Sequence, residues 1–164
     1  NKKYSNFFKQ GIAMSISKAA DYAILTVAYL ATVSRESNNL RSKVYLSSRL
    51  NLPKEFLSLI LQKLTRSQIL TSKRGVTGGY FLTKDADEIT FKDVIEAVDG
   101  KKALVECISD DFGQCNRLHI CKSIIPKMKI VQERVDDALD SMHFGELDLS
   151  QLSKDINKTK TSNS

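Results

Sequence analysis

Apolar residues recur at spacings of three and four along most of this chain, and the breaks in that period mark its turns. Ser17 precedes Ala20, Ile24, Val27 and Ala31, a pattern that predicts an amphipathic first helix running to about Thr32. The polar stretch 34–39 ends it. Ser42 is placed to cap a short second helix through Leu50, and Asn51, Leu52 and Pro53 form a turn, with Pro53 suited to the first position of a third helix. That helix, 54–67, gathers Leu57, Ile60, Leu61 and Leu64 into one stripe while Lys54, Glu55, Ser58, Gln62 and Lys63 point elsewhere. Two short helices around a tight turn read as a helix-turn-helix.

The period then changes. Residues 69–74 and 80–83 are short strand-like runs around a glycine-rich tip, Gly75-Val76-Thr77-Gly78-Gly79, which predicts a β-hairpin. The tip lacks the Lys-Ser/Thr ending of a phosphate-binding P-loop, and no helix opens directly after it. Helix-turn-helix plus hairpin makes a winged helix. Thr90 and Asp93 form a capping-box-like start for a helix through Val98 that ends at Gly100. Further on, Ile124, Met128, Val131, Val135, Ala138 and Met142 follow spacings of four and three in alternation, a heptad seam. So narrow a stripe needs a partner helix, either in its own domain or in a second copy of the chain. The expected fold class is mainly α (α+β): a winged helix-turn-helix domain over 14–100, a cysteine-rich loop over 101–121, a dimerisation helix and C-terminal segment over 122–152, and a disordered tail over 153–164. Residues 1–13, ahead of Met14, are expected to be a leader or tag.

Charge sharpens this picture. Lys and Arg total 25 against 19 acids, a formal +6, which favours an anionic partner. Residues 41–74 contain eight basic residues (Arg41, Lys43, Arg49, Lys54, Lys63, Arg66, Lys73, Arg74) against Glu55. The region from 101 onward is balanced. The excess therefore coincides with the helix-turn-helix and the base of the wing, as duplex DNA would require. The longest uncharged apolar run, 23–31, is far too short for a membrane span, and residues 1–13 lack the apolar run of a secretory signal. A cytoplasmic protein with no membrane partner is expected. Neither His119 nor His143 has a recognisable nucleophile or carboxylate pairing, so no enzymatic step is expected. A module binding protein rather than DNA is the rival class.

The three cysteines, Cys107, Cys115 and Cys121, lie close together around the polar, turn-forming stretch 109–114. An odd count argues against a disulfide framework. Three clustered thiolates suit an iron-sulfur cluster or zinc, both of which usually take a fourth ligand. His119 is the local donor, cramped by its nearness to Cys121. A thiol sensor is the third option, since Lys101, Lys102, Arg117 and Lys122 nearby can lower a thiol pKa.

With these features in order, the chain resembles the family of winged-helix transcription regulators that includes the iron-sulfur regulator IscR and the nitric oxide sensor NsrR. The resemblance covers about 15–149. It rests on Ser17-Lys18-Ala19-Ala20-Asp21-Tyr22-Ala23, on Leu57-x-x-Ile60-Leu61-x-x-Leu64, on Arg74-Gly75-x-x-Gly78-Gly79-Tyr80, and on the cysteine triplet before a long helix. It implies a homodimeric repressor on an inverted-repeat operator, with the third helix in the major groove and the wing at the minor groove. It carries DNA contacts onto Lys54, Glu55, Phe56, Ser58 and Arg74. Glu55 suits a cytosine amino group and Arg74 a narrow minor groove, while Arg49, Lys63 and Lys73 read as phosphate contacts or solvated charges. It also implies an iron-sulfur cluster, 4Fe-4S or 2Fe-2S, on Cys107, Cys115 and Cys121, sensing redox state, nitric oxide or iron-sulfur status. The IscR-like branch has a His three residues after its last Cys, where this chain has Ile124. The NsrR-like branch takes an Asp of the first helix from the other subunit, and Asp21 holds that place, with His119 as the fallback. A dimeric thiol-redox or zinc regulator without a cluster is the alternative.

Overall fold

Side-chain caps start three of the helices in the computed structural model, which describes residues 16–34, 39–108 and 118–158. The Ser17 hydroxyl accepts from the Ala20 N–H and opens α1 (Lys18–Val33); Ser42 does the same for Tyr45 at the start of α2 (Lys43–Leu50). α2 stops at Asn51, whose left-handed backbone (φ 51°) turns the chain into α3 (Lys54–Arg66). Pro53 stands one position earlier than its sequence pattern suggests, as the N-cap of α3 rather than its first residue. Leu57, Ile60, Leu61 and Leu64 are all buried, as their spacing predicts.

β1 (Leu70–Lys73) and β2 (Gly79–Leu82) pair antiparallel, from Leu70 opposite Leu82 to Lys73 opposite Gly79. Arg41 extends this wing on its far side: its N–H donates to the Tyr80 carbonyl at 3.1 Å, and Tyr80 N–H returns a bond to the Arg41 carbonyl at 2.9 Å. Gly79 permits the approach, since a Cβ there would lie 2.6 to 2.9 Å from Arg41 backbone atoms. The wing and the start of α2 are thus one unit. Thr90 and Asp93 cap each other at the start of α4 (Phe91–Asp99), which ends at Gly100 with φ 75°.

α1 departs from the amphipathic expectation. It packs against α4, α3 and the C-terminal helix, so burial reaches most of its circumference from Thr26 to Ala31, while Ile24 is only half-buried. After α4, a 3-10 turn (Glu106–Ile108) and the short α5 (Leu118–Cys121) lead to α6 (Ile125–Asp140), none of whose side chains is fully buried. A second 3-10 turn (Phe144–Glu146) inserts the fully buried Phe144 beside Phe91, the rings stacked at 4.6 Å. α7 (Leu149–Lys158) then returns onto α1. The segment from 153 onward was expected to be unstructured; instead α7 runs to Lys158, because Leu149, Leu152 and Ile156 share one helical face that joins the core. Among the described residues no helix is long and apolar enough to cross a membrane.

Candidate functional site

α3 offers its outer surface in the middle of the basic segment, and the structure sorts the residues placed there. Lys54 and Glu55 are exposed on its first turn. Phe56 is half-buried, its ring edge-on to Tyr22 at 5.6 Å, so it packs α3 on α1. Ser58 is half-buried and donates its hydroxyl to the Lys54 carbonyl at 2.9 Å. Lys63 turns its ammonium onto the Val98 carbonyl at the C-terminal end of α4, where a cation also meets the negative end of the helix dipole. Arg49 is half-buried, while Lys73 and Arg74 are exposed at the end of β1 and in the turn that follows. Leu59, Gln62 and Arg66 are also exposed on α3. With Glu55 they follow spacings of four, three and four, the stripe opposite the core; that period was the signal that could have found them.

The cysteine segment is anchored at the end of α4. The carboxyl of Asp99, 7% exposed, accepts from the Ser17 N–H at 3.2 Å, from the Ser17 hydroxyl and from Lys102 at 2.8 Å. Burial pushes its pKa up, but the bonds from Lys102 and Ser17 outweigh that and hold it below the usual carboxylate value. Asp99 thereby fixes the N-terminus of α1, whose first turn carries Asp21, an exposed carboxylate 3.7 Å from Lys18. Gln132 of α6 accepts from the Leu104 N–H at 2.8 Å and donates to the Lys102 carbonyl at 3.4 Å, clamping the irregular segment that leads to Cys107. Between α4 and α6 lies an open groove of about 400 Å³ lined by Ile16, Ile95, Leu104, Val135 and Leu139.

Cys107, on the Glu106–Ile108 3-10 turn, and Cys121, at the end of α5, are half-buried free thiols. Cys115 lies outside the described residues. His119 is exposed on α5. Among the described residues no three His, Cys, Asp or Glu side chains converge as a metal site. The expected seam divides: Ile124, Val131, Ala138 and Met142 are exposed and Met128 is half-buried, whereas Val135 lines the groove against α4. Ile124 and Met142 flank α6 rather than lie within it.

The profile of the Rrf2 family, described as iron-dependent transcriptional regulators, matches residues 16–148. The chain belongs to the Rrf2 family. It is similar to a helix-turn-helix-type transcriptional regulator of Mycobacterium tuberculosis, 34% identical over 95 residues, 58% of each chain. It is also similar to the transcriptional regulator IscR of Cereibacter sphaeroides, 30% identical over 86 residues, 52% of this chain and 56% of that one. These curated Rrf2-type relatives are thus matched over little more than half of their length. Among solved structures, CymR, the global cysteine regulator of B. subtilis, superposes with a TM-score of 0.60 at 25% identity, over 80% of this chain and 94% of CymR. The winged helix with C-terminal helices is therefore the Rrf2 fold, and the family is one of transcriptional regulators, not enzymes.

Proposed function

We propose that this Rrf2 protein is a cytoplasmic homodimeric repressor that binds an inverted-repeat operator and responds to redox state, nitric oxide or iron-sulfur supply through a cluster on its cysteines. The observation that carries the DNA reading is the outward face of α3 standing in a segment with eight basic residues against one acid. α3 enters the major groove and Arg74 of the wing tip lies toward the minor groove. The exposed positions Ile124, Val131, Ala138 and Met142, a heptad apart or half of one, support pairing along α6.

The donor set fits an iron-sulfur cluster chemically: soft thiolates, two of them half-buried and outside any disulfide. Cys107, Cys115 and Cys121 would hold it, with Asp21 of the second subunit or His119 as the fourth ligand. A bound cluster supplies a redox- and ligand-sensitive cross-link between those thiolates. The chain's own part is to transmit. Cys107 follows the segment clamped by Gln132, Lys102 of that segment bonds Asp99, and Asp99 sets the start of α1. Half-sites of such a dimer lie about 34 Å apart, so small changes in the angle between subunits alter affinity strongly.

Two measurements test this. Binding to duplex DNA should weaken with salt, with a log-log slope of about −0.9 per phosphate contact; weak, salt-independent binding would favour the protein-adaptor class. Anaerobically purified protein should be brown and contain iron. A colourless product, iron-free after reconstitution, would leave the thiol-redox or zinc regulator.

A further inference from the structure

The outward stripe of α3 holds a residue without polar chemistry at its centre. Leu59 is 58% exposed, between Glu55 and Gln62 on the side of the helix opposite the core. A single surface leucine is ordinary on most helices. This one stands on the face that a major-groove helix turns to the base edges, within the most basic segment of the chain.

The chemistry there is restrictive. Leucine has neither donor nor acceptor, so seating it against guanine, adenine or cytosine edges would strand their polar groups without partners. Thymine presents a C5 methyl in the major groove, an apolar surface that separates T·A from the other pairs. Its neighbours on the stripe are polar readers: Glu55 suits a cytosine amino group and Gln62 the paired donor and acceptor of adenine. A rise of about 1.5 Å per residue places Glu55 and Gln62 roughly 10 Å apart along the axis, about three base-pair steps, with Leu59 between them.

We propose that Leu59 is a specificity-determining residue that seats a thymine methyl in each half-site, between the base pairs addressed by Glu55 and Gln62. The proposal rests on the reading of α3 as the DNA-contacting helix and adds a base identity to it. The test begins with duplexes selected from a random pool by the wild-type protein, in which each selected thymine is replaced in turn by deoxyuridine. One position per half-site should lower wild-type affinity by about fourfold per methyl removed, the value of burying one such group. Leu59→Ala should lose a similar factor on the thymine duplex and be indifferent to the replacement, while Leu59→Met keeps the preference. Leu59→Ala is expected to fold, since the site is exposed and alanine favours helix, and its thermal midpoint checks this. A flat deoxyuridine scan, or a Leu59→Ala variant as sensitive to it as wild type, overturns the assignment while leaving DNA binding intact. Failure of the wild type to bind any duplex overturns both readings.

Discussion

Gly79→Ala should loosen the wing from the helix-turn-helix. Gly79 does not adopt a positive φ, so if only the entropy of the unfolded chain mattered, alanine would stabilise the protein by about 0.4–1 kcal/mol. The added Cβ, however, would sit 2.6 Å from the Arg41 carbonyl carbon, 2.7 Å from its oxygen and 2.9 Å from its nitrogen. All three are backbone atoms, so no rotamer change relieves the overlap. Parting the chains gives up the two bonds between Arg41 and Tyr80, at 3.1 and 2.9 Å, each contributing about 1 kcal/mol. Residual strain adds about 1–3 kcal/mol. The net expectation is a loss of about 2–4 kcal/mol, or roughly 5–15 °C in Tm for a chain of this size. Because Ser42, the cap of α2, follows Arg41 directly, DNA affinity should fall as well. Urea denaturation followed by circular dichroism, with anisotropy titration on duplex DNA, measures both. An unchanged or raised urea midpoint would refute the view that this backbone contact holds the wing in place.

Other expectations follow from single interactions. Asp99 has a folded pKa below its unfolded value near 3.9, so its stabilisation is full at neutral pH and is lost as pH falls through the folded value. Asp99→Asn should therefore cost about 1–3 kcal/mol at pH 7, with the gap to wild type closing below about pH 4; an equal gap at pH 7 and pH 3 would count against it. Phe144→Ala removes a fully buried ring stacked on Phe91 and should cost about 3–5 kcal/mol by calorimetry or urea titration, a large part of a typical total of about 5–15 kcal/mol. A shift of under about 2 °C would mean the joint between α6 and α7 is not part of the core. Lys63→Met separates two roles for that side chain: a phosphate contact predicts a shallower salt slope by about 0.9, whereas its bond to the Val98 carbonyl predicts an unchanged slope with a stability loss of about 1 kcal/mol.

Features set by neighbours in the chain were legible from the sequence. Ser17, Ser42 and Thr90 each cap the N–H three residues on, and the glycine-rich tip closes the hairpin. The stripe 57, 60, 61 and 64 is the core face of α3. In each case the determining groups lie within a turn or two of one another, so spacing and residue type suffice. Composition likewise located the basic segment.

What depends on groups far apart in sequence was decided by tertiary packing. Phe56 is drawn inward by Tyr22, and Lys63 is taken up by a carbonyl at the end of α4. Val135 turns to the groove against α4 while its heptad neighbours Val131 and Ala138 remain exposed. α7 forms because α1 offers a surface for Leu149, Leu152 and Ile156. Period alone fixes which residues share a face. Which face finds a partner depends on elements brought together only when the chain folds, and that contact divides the residues of α3 outside its core stripe into those that pack and those left exposed.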